Sequence, residues 1–424
     1  MSRAPIEMRL LPDTAEVDGD GSLVVGGCRL TDLAAEFGTP LFVYDEAHLR
    51  NRCREAVAEF GANRVIYATK AFLCKAMASL AHEEGLMLDV ATGGELFVAL
   101  AAGVPAERCV LHGNNKSLDE LRYAVGSGIR HVIVDSFDEI DRLETIATEY
   151  AKRVDVHVRV TPGVHAHTHE YISTGQDDSK FGFNLANGDA MRAVELCRSS
   201  AGLRLVGIHF HIGSNVLDVD LLGRATESMV GFVAPLQLPE LTVGGGLGVA
   251  YTAAEHAPTM GQWSSVMRAA TSALPAGTAI LVEPGRSIVA SAAVTLYTVG
   301  TVKPIPGIRD YVAVDGGMSD NLRPMLYDAE YEVFMPTRPT AVRDWPVRIV
   351  GKHCESGDVL IDEAHVPASL ANGDLLAVPV TGAYGYSMAS NYNMVTRPAV
   401  VFVSGGNART VRRRESFADL ITLD

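Results

Sequence analysis

Several short stretches of this 424-residue chain place polar groups where apolar strands give way to loops. Lys70 closes "RVIYATK", Asp89 sits in "LMLDVAT", and "HGNN" (112–115), "HFHIGSN" (209–215), "GGGLG" (244–248) and "EPGR" (283–286) follow other apolar runs. An ammonium group at the end of a buried strand is penalised unless something uses it. One chemistry uses the whole set, that of an aldehyde cofactor carrying a phosphate. Lys70 forms the imine, and the glycines and the "EPGR" turn with Gly285 let backbone amides approach the anion. Ser214 adds a hydroxyl donor. Glu283 keeps a pyridine nitrogen protonated, which makes pyridoxal phosphate a strong electron sink. Taken singly the residues are plainer: a solvated lysine, a hydrogen-bonded core histidine at His211, a glycine turn. The combination carries the inference.

Such groups need a scaffold that gathers strand ends. From about residue 60 short β-branched runs alternate with longer amphipathic ones, the pattern of parallel strands joined by helices. Strands are expected at "RVIYATK", "LMLDVAT", "CVLHGN", "HVIVDS", "DVHVRVTP", "RLVGIHFHIG", "ELTVGGG" and "AILVEPGR". Between them, "CKAMASLAHEEG", "GGELFVALAAG", "SLDELRYAVGSG" and "FDEIDRLETIATEYAKR" space apolar residues three and four apart, as helices do. This count fits a (β/α)8 barrel over residues 46–290, in which function gathers at the carboxyl ends of the strands. A doubly wound open sheet is the alternative architecture. After residue 290 the texture changes to β runs punctuated by Gly, Pro and Asn, so 291–424 is expected to form a mostly antiparallel β domain, to which 1–45, with "SLVVGG" and "PLFVYD", contributes a strand.

Composition narrows the class of partner. A net charge of −15 argues against nucleic acid or an anionic membrane. The N-terminus shows no signal-peptide pattern, and the most apolar window is interrupted by Asp89 and Glu95, so a cytoplasmic chain that spans no membrane is expected. Cys28, Cys53, Cys74, Cys109, Cys197 and Cys354 lie far apart, as reduced thiols do. The histidines at 165, 167 and 169 read as a polar loop, and no metal is expected.

The series "YATKAF", "HGNNKS", "PGVHAHTHEYISTG", "SKFGF", "HIGSN", "GGGLG", "EPGR", "DGGMSDNLRP", "HCESGD" and "TGAYGYSMASNYNM" resembles, in order, the motifs of the diaminopimelate decarboxylase family. That family belongs to the alanine-racemase-like group of pyridoxal phosphate enzymes. The resemblance implies that Lys70 carries the Schiff base, His211 stacks on the cofactor ring and Glu283 pairs with its nitrogen. Asp89, Ser214, Gly246, Gly285, Arg286 and Tyr384 would complete the cofactor site. Arg286, Arg323, Tyr327, Tyr384 and Glu355 resemble the substrate-binding set, with Cys354 as the general acid from the partner subunit of a homodimer. The implied reaction is decarboxylation of meso-2,6-diaminopimelate to L-lysine.

Physical chemistry stands beside that likeness. A substrate with carboxylates at both ends calls for planar cationic forks such as Arg286 and Arg323, and its distal ammonium for an acid such as Glu355. "HCESGD" by itself also reads as a Gly-Asp turn with Cys354 as a small buried residue. The chain departs from the family pattern at Asn215, at Asn391 where arginine is common, and at Gly385 where cysteine is frequent. Those departures keep open a related decarboxylase acting on another amino acid, free or carrier-bound. A racemase fits less well, because that family typically places an arginine at the pyridine nitrogen. A non-catalytic carrier fits less well because such carriers are usually barrel-only.

Overall fold

The computed structural model describes residues 3–163 and 178–424, so the histidines at 165, 167 and 169 lie outside the described residues. Two units divide the chain: Cys53–Gly248 with Ala257–Ser287, and Met1–Arg52 with Val249–His256 and Ile288–Asp424.

The first unit is built on β1 (Ile66–Ala68), β2 (Met87–Val90), β3 (Cys109–Leu111), β4 (His131–Val134), β5 (Val154–Thr161), β6 (Leu203–His209), β7 (Glu240–Thr242) and β8 (Ala279–Leu281). Sequence neighbours pair in parallel around the sheet. The first and last strands then meet. Ile66 N donates to Val282 O at 2.9 Å, Val282 N to Arg64 O at 2.9 Å and Ala68 N to Pro284 O at 3.1 Å. These bonds close the sheet into a barrel and exclude the open doubly wound alternative. Ile66, Met87, Val110, Ile133 and Leu281 pack together as one fully buried layer.

All eight expected strands are present, but several stop short of the runs that announced them. β1 ends at Ala68, and Thr69–Ala71 forms a 3-10 turn, so Lys70 stands on the turn rather than in the strand. Helices start where hydroxyl caps occur. Thr92 accepts from Glu95 N, Ser136 from Glu139 N, and Ser117 forms a reciprocal capping box with Glu120. The predicted helix over 137–153 ends at Glu149.

In the second unit, a mixed, mostly antiparallel sheet runs in the order Val359–Val366, Trp345–Val350, Arg309–Val314, Ala293–Ile305, Leu41–Asp45, Ala399–Ser404, Asn407–Arg412, and Leu375–Pro379 also pairs with Ala293–Ile305. The N-terminal contribution is the "PLFVYD" strand, antiparallel to Ala293–Ile305 and parallel to Ala399–Ser404. "SLVVGG" instead pairs with Glu16–Val17 and Cys28–Arg29 in a small sheet of its own. No helix among the described residues is long and apolar enough to cross a membrane.

One buried ion pair sets the loop after β3. Lys116 Nζ donates to Gly113 O at 2.6 Å, Ile133 O at 2.7 Å and Glu139 Oε1 at 2.6 Å, using all three protons. Burial pushes the Glu139 carboxyl up, and Lys116 opposes that. Lys116→Met therefore leaves a buried acid uncompensated and is expected to destabilise the barrel by about 3–5 kcal/mol. A lowered denaturant midpoint, partly recovered by adding Glu139→Leu, is the expected result; an unchanged midpoint contradicts it.

Candidate active site

The polar groups of the barrel gather at the carboxyl ends of its strands. Thr69 Oγ1 donates to the Asp89 carbonyl at 2.7 Å and so locks the turn carrying Lys70 to the end of β2. The Lys70 side chain is exposed. Behind it the "EPGR" turn approaches closely, because a Cβ on Gly285 would lie 3.0 Å from both Ala68 O and Ala68 Cβ.

Glu283, just past β8, is buried and flanked by two histidines. His209 Nε2 donates to its Oε2 at 2.9 Å, while His112 Nε2 lies 3.0 Å from Oε1. That second approach is an ion-pair distance without hydrogen-bond alignment, and neither Oε1 nor His112 Nε2 has a hydrogen-bond partner among the described residues. Burial opposes ionisation of Glu283, but His112 and His209 together outweigh it and hold the carboxyl well below its usual range. Asp89 shows the opposite outcome. Burial raises its pKa, His112 works against this, and the nearby Glu283 reinforces it. Arg159 is buried 3.5 Å from Asp135 and stacks 4.3 Å from the Phe181 ring centroid.

His211 lies on the loop after β6. Gly245 N donates to its Nδ1 at 3.3 Å, so the ring proton belongs on Nε2. Burial and then the Lys70 charge push its pKa well down, which keeps the imidazole neutral. The loops after β6, β7 and β8 are stitched by backbone: Glu283 N donates to Gly244 O and Val216 N to Gly246 O, both at 2.8 Å. The contact tolerates no side chain. A Cβ on Gly245 would stand 2.1 Å from Glu283 O, and Gly246 has φ +108° with Gly213 O 2.6 Å from its Cβ position. Buried Arg286 donates to Ser214 Oγ at 2.9 Å.

The remaining candidates belong to the other unit. Arg323 is buried, bonded through Nη1 to Tyr331 OH and stacked 4.2 Å from the Tyr251 ring centroid. Burial works against its charge, and the phenol groups of Tyr251 and Tyr331 more than offset this and raise its pKa. Its loop is anchored by Asp320, which accepts from Tyr297 OH at 2.5 Å and Gly317 N at 2.8 Å and is pushed up to about 7 by burial. Tyr327 ends the same short helix, Arg323–Tyr327, and is half-buried. In "HCESGD", Asp358 accepts from Met318 N and His353 N and so folds the turn. Cys354 and Glu355 are exposed on it, which removes the reading of Cys354 as a buried packing residue. Tyr384 adopts φ +59°, unusual for a side-chain-bearing residue. Its neighbour Gly385 has no room for cysteine, since a Cβ would meet Thr381 O at 2.9 Å and Phe42 at 3.1 Å. Asn391 donates to Glu415 Oε2 at 2.6 Å and Val395 O at 3.1 Å, so this departure too has a structural role.

The barrel groups suit pyridoxal phosphate. An accessible amine stands on the turn, a buried carboxylate oxygen lacks a hydrogen-bond partner such as a ring N–H supplies, and glycine backbone lines the loops where a Cβ would intrude. Sequence reasoning missed His112, His209 and Arg159 as partners of this site, and Tyr251 and Tyr331 as partners of Arg323. The alternation of β5 was the available signal for Arg159, and the position of His112 and His209 at the ends of apolar runs was the signal for the histidines.

Comparison with known proteins agrees with this chemistry. Residues 46–290 match the family model described as pyridoxal-dependent decarboxylase, pyridoxal binding domain. The chain is 47% identical to the diaminopimelate decarboxylase of Mycobacterium bovis, covering 97% of both chains, and 46% identical to that of Bacillus subtilis, covering 98% of both. Its structure is similar to that of M. jannaschii diaminopimelate decarboxylase, with a TM-score of 0.89 at 32% identity over 97% of this chain and 98% of the other, including a co-complex with L-lysine.

Gly245→Ala tests the closeness of these loops. Its Cβ forces the glycine loop off the Glu283 carbonyl, so titration with pyridoxal phosphate should show affinity weakened about tenfold or more, with far-ultraviolet dichroism unchanged. Parent affinity would contradict the geometry.

Proposed function

The chain belongs to the diaminopimelate decarboxylase family of pyridoxal-dependent enzymes, and we propose that it removes carbon dioxide from meso-2,6-diaminopimelate to leave L-lysine. Its cofactor is pyridoxal phosphate. When bound, that group supplies an aldehyde for amine condensation and a ring that accepts the electron pair left by departing carbon dioxide.

The residues of this chain divide the remaining work. Lys70 would hold the cofactor through its amine. Glu283 would pair with the ring nitrogen and favour its protonated form, His211 would stack on the ring as a neutral imidazole, and Ser214, Gly246, Gly285, Arg286 and Tyr384 would hold the phosphate and its neighbouring groups. Asp89 would belong with Glu283 to the set that holds the cofactor. Arg286, Arg323 and Tyr327 would bind substrate carboxylates, and Tyr384 would serve cofactor and substrate alike. Glu355 receives the distal ammonium. As the carbon–carboxylate bond breaks, the α-carbon must gain one proton, and Cys354 donates it from the neighbouring copy of a homodimer. The working setting is the cytoplasm.

Glu283 is the observation that carries this assignment. A buried carboxylate held ionised by two imidazoles favours a protonated ring nitrogen and hence full electron withdrawal, which decarboxylation needs. An arginine there would limit it, as racemization requires.

Cofactor-loaded protein mixed with meso-diaminopimelate should release lysine and carbon dioxide in equal amounts, and Lys70→Ala should reduce turnover by at least about a thousandfold. No lysine from protein that retains the Schiff-base absorbance would overturn the substrate assignment.

A further inference from the structure

His112 stands between two buried carboxyl groups, and the reaction outlined above gives it no step. Its Nε2 is 3.0 Å from Glu283 Oε1 and 3.7 Å from Asp89 Oδ1, and its side chain is 8% exposed. Backbone pairing holds it there, since His112 N donates to Val90 O at 2.8 Å, and its ring meets the edge of His209 at a centroid distance of 5.0 Å.

Two acids this close cannot both remain ionised in a dry site without a cation. His209 is unsuited to that role. Its Nε2–H is spent on Glu283 Oε2, its Nδ1 is buried with no hydrogen-bond partner among the described residues, and burial pushes its pKa down to about 3. A second proton on His209 would have no acceptor. The other titratable groups acting on the cluster are Lys70, Arg159 and, beside Asp89, the Glu95 carboxyl, itself pushed up by burial, with neutral His131 beyond. Arg159 is already paired with Asp135. Burial disfavours charge on His112, yet Asp89 and Glu283 outweigh it and raise its pKa.

We propose that His112 is a positioning residue which, as an imidazolium shared between Asp89 and Glu283, keeps Glu283 ionised and aimed at the cofactor's ring nitrogen. Asp89 is the reserve acid of the trio: burial and Glu283 favour its protonation, so the cation serves Glu283 first. The inference rests on the decarboxylase reading for its kinetic arm only.

The sign follows directly. Glu283 has a lowered pKa, so it supports the ring nitrogen above that pKa and loses this capacity as pH falls through it. Removing the His112 charge raises the pKa and moves the loss to higher pH.

The test compares parent, His112→Gln and His112→Ala holoenzymes by absorbance titration of the bound cofactor and by kinetics across pH. Glutamine keeps an N–H without the charge. Both variants should shift the acid limb of the spectral titration upward by about 1–3 pH units, and kcat should fall about tenfold or more while KM moves less than about threefold. Should His112→Ala fail to fold, His112→Gln decides alone. A glutamine variant that binds cofactor and titrates as the parent does overturns the proposal, because a hydrogen-bonding or packing role would then suffice. A parent that fails to decarboxylate diaminopimelate sinks the substrate assignment, while the spectral titration still decides the role of His112.

Discussion

A carboxylate kept ionised in the barrel interior is the constraint on which the site depends. Glu283 lies where burial alone would neutralise it, and neutral it could not favour a protonated ring nitrogen. Two imidazoles, one just past β3 and one at the end of β6, reverse that outcome, and they do different things. His209 donates a well-aligned hydrogen bond to one oxygen, whereas His112 contributes proximity and charge to the other. The site thus needs β3, β6 and β8 in register, which a closed parallel barrel enforces and isolated strands would not.

The same closure explains the glycines. Loops after β6, β7 and β8 share backbone hydrogen bonds, and these exist only because Gly245 and Gly246 carry no side chain. Chain flexibility is therefore a poor description of "GGGLG". Its glycines permit contact, and the contact gives rigidity. In the other unit, rigidity around the substrate candidates comes from buried polar anchors instead: Asp320 for the Arg323 loop and Asp358 for the Cys354 turn.

Much of this was legible in the sequence because strand-end residues interrupt apolar runs with groups that have no reason to be there unless they act. Lys70, Glu283 and the glycine run stood out on that ground, and the motif order named the family. His112 and His209 did not acquire roles, because a histidine inside an apolar strand looks the same whether it faces a carboxylate or fills space. Their function arises from register between β3, β6 and β8, which are separated by long stretches of chain. The small sheet formed by "SLVVGG" was hidden for a related reason: both N-terminal runs read as strands, and only tertiary pairing assigned "PLFVYD" to the large sheet and "SLVVGG" to another. The departures at Gly385 and Asn391 likewise became intelligible only with their neighbours in view.

The identity of the lysine that carries the cofactor is the most direct test of the active site. Borohydride reduction of the holoenzyme, followed by digestion and mass spectrometry, fixes the cofactor to whichever amine holds it. The geometry predicts a single phosphopyridoxyl group on Lys70, at the turn after β1. Labelling elsewhere, at Lys75 or Lys116 for example, with Lys70 unmodified, would contradict the assignment of the barrel mouth as the active site.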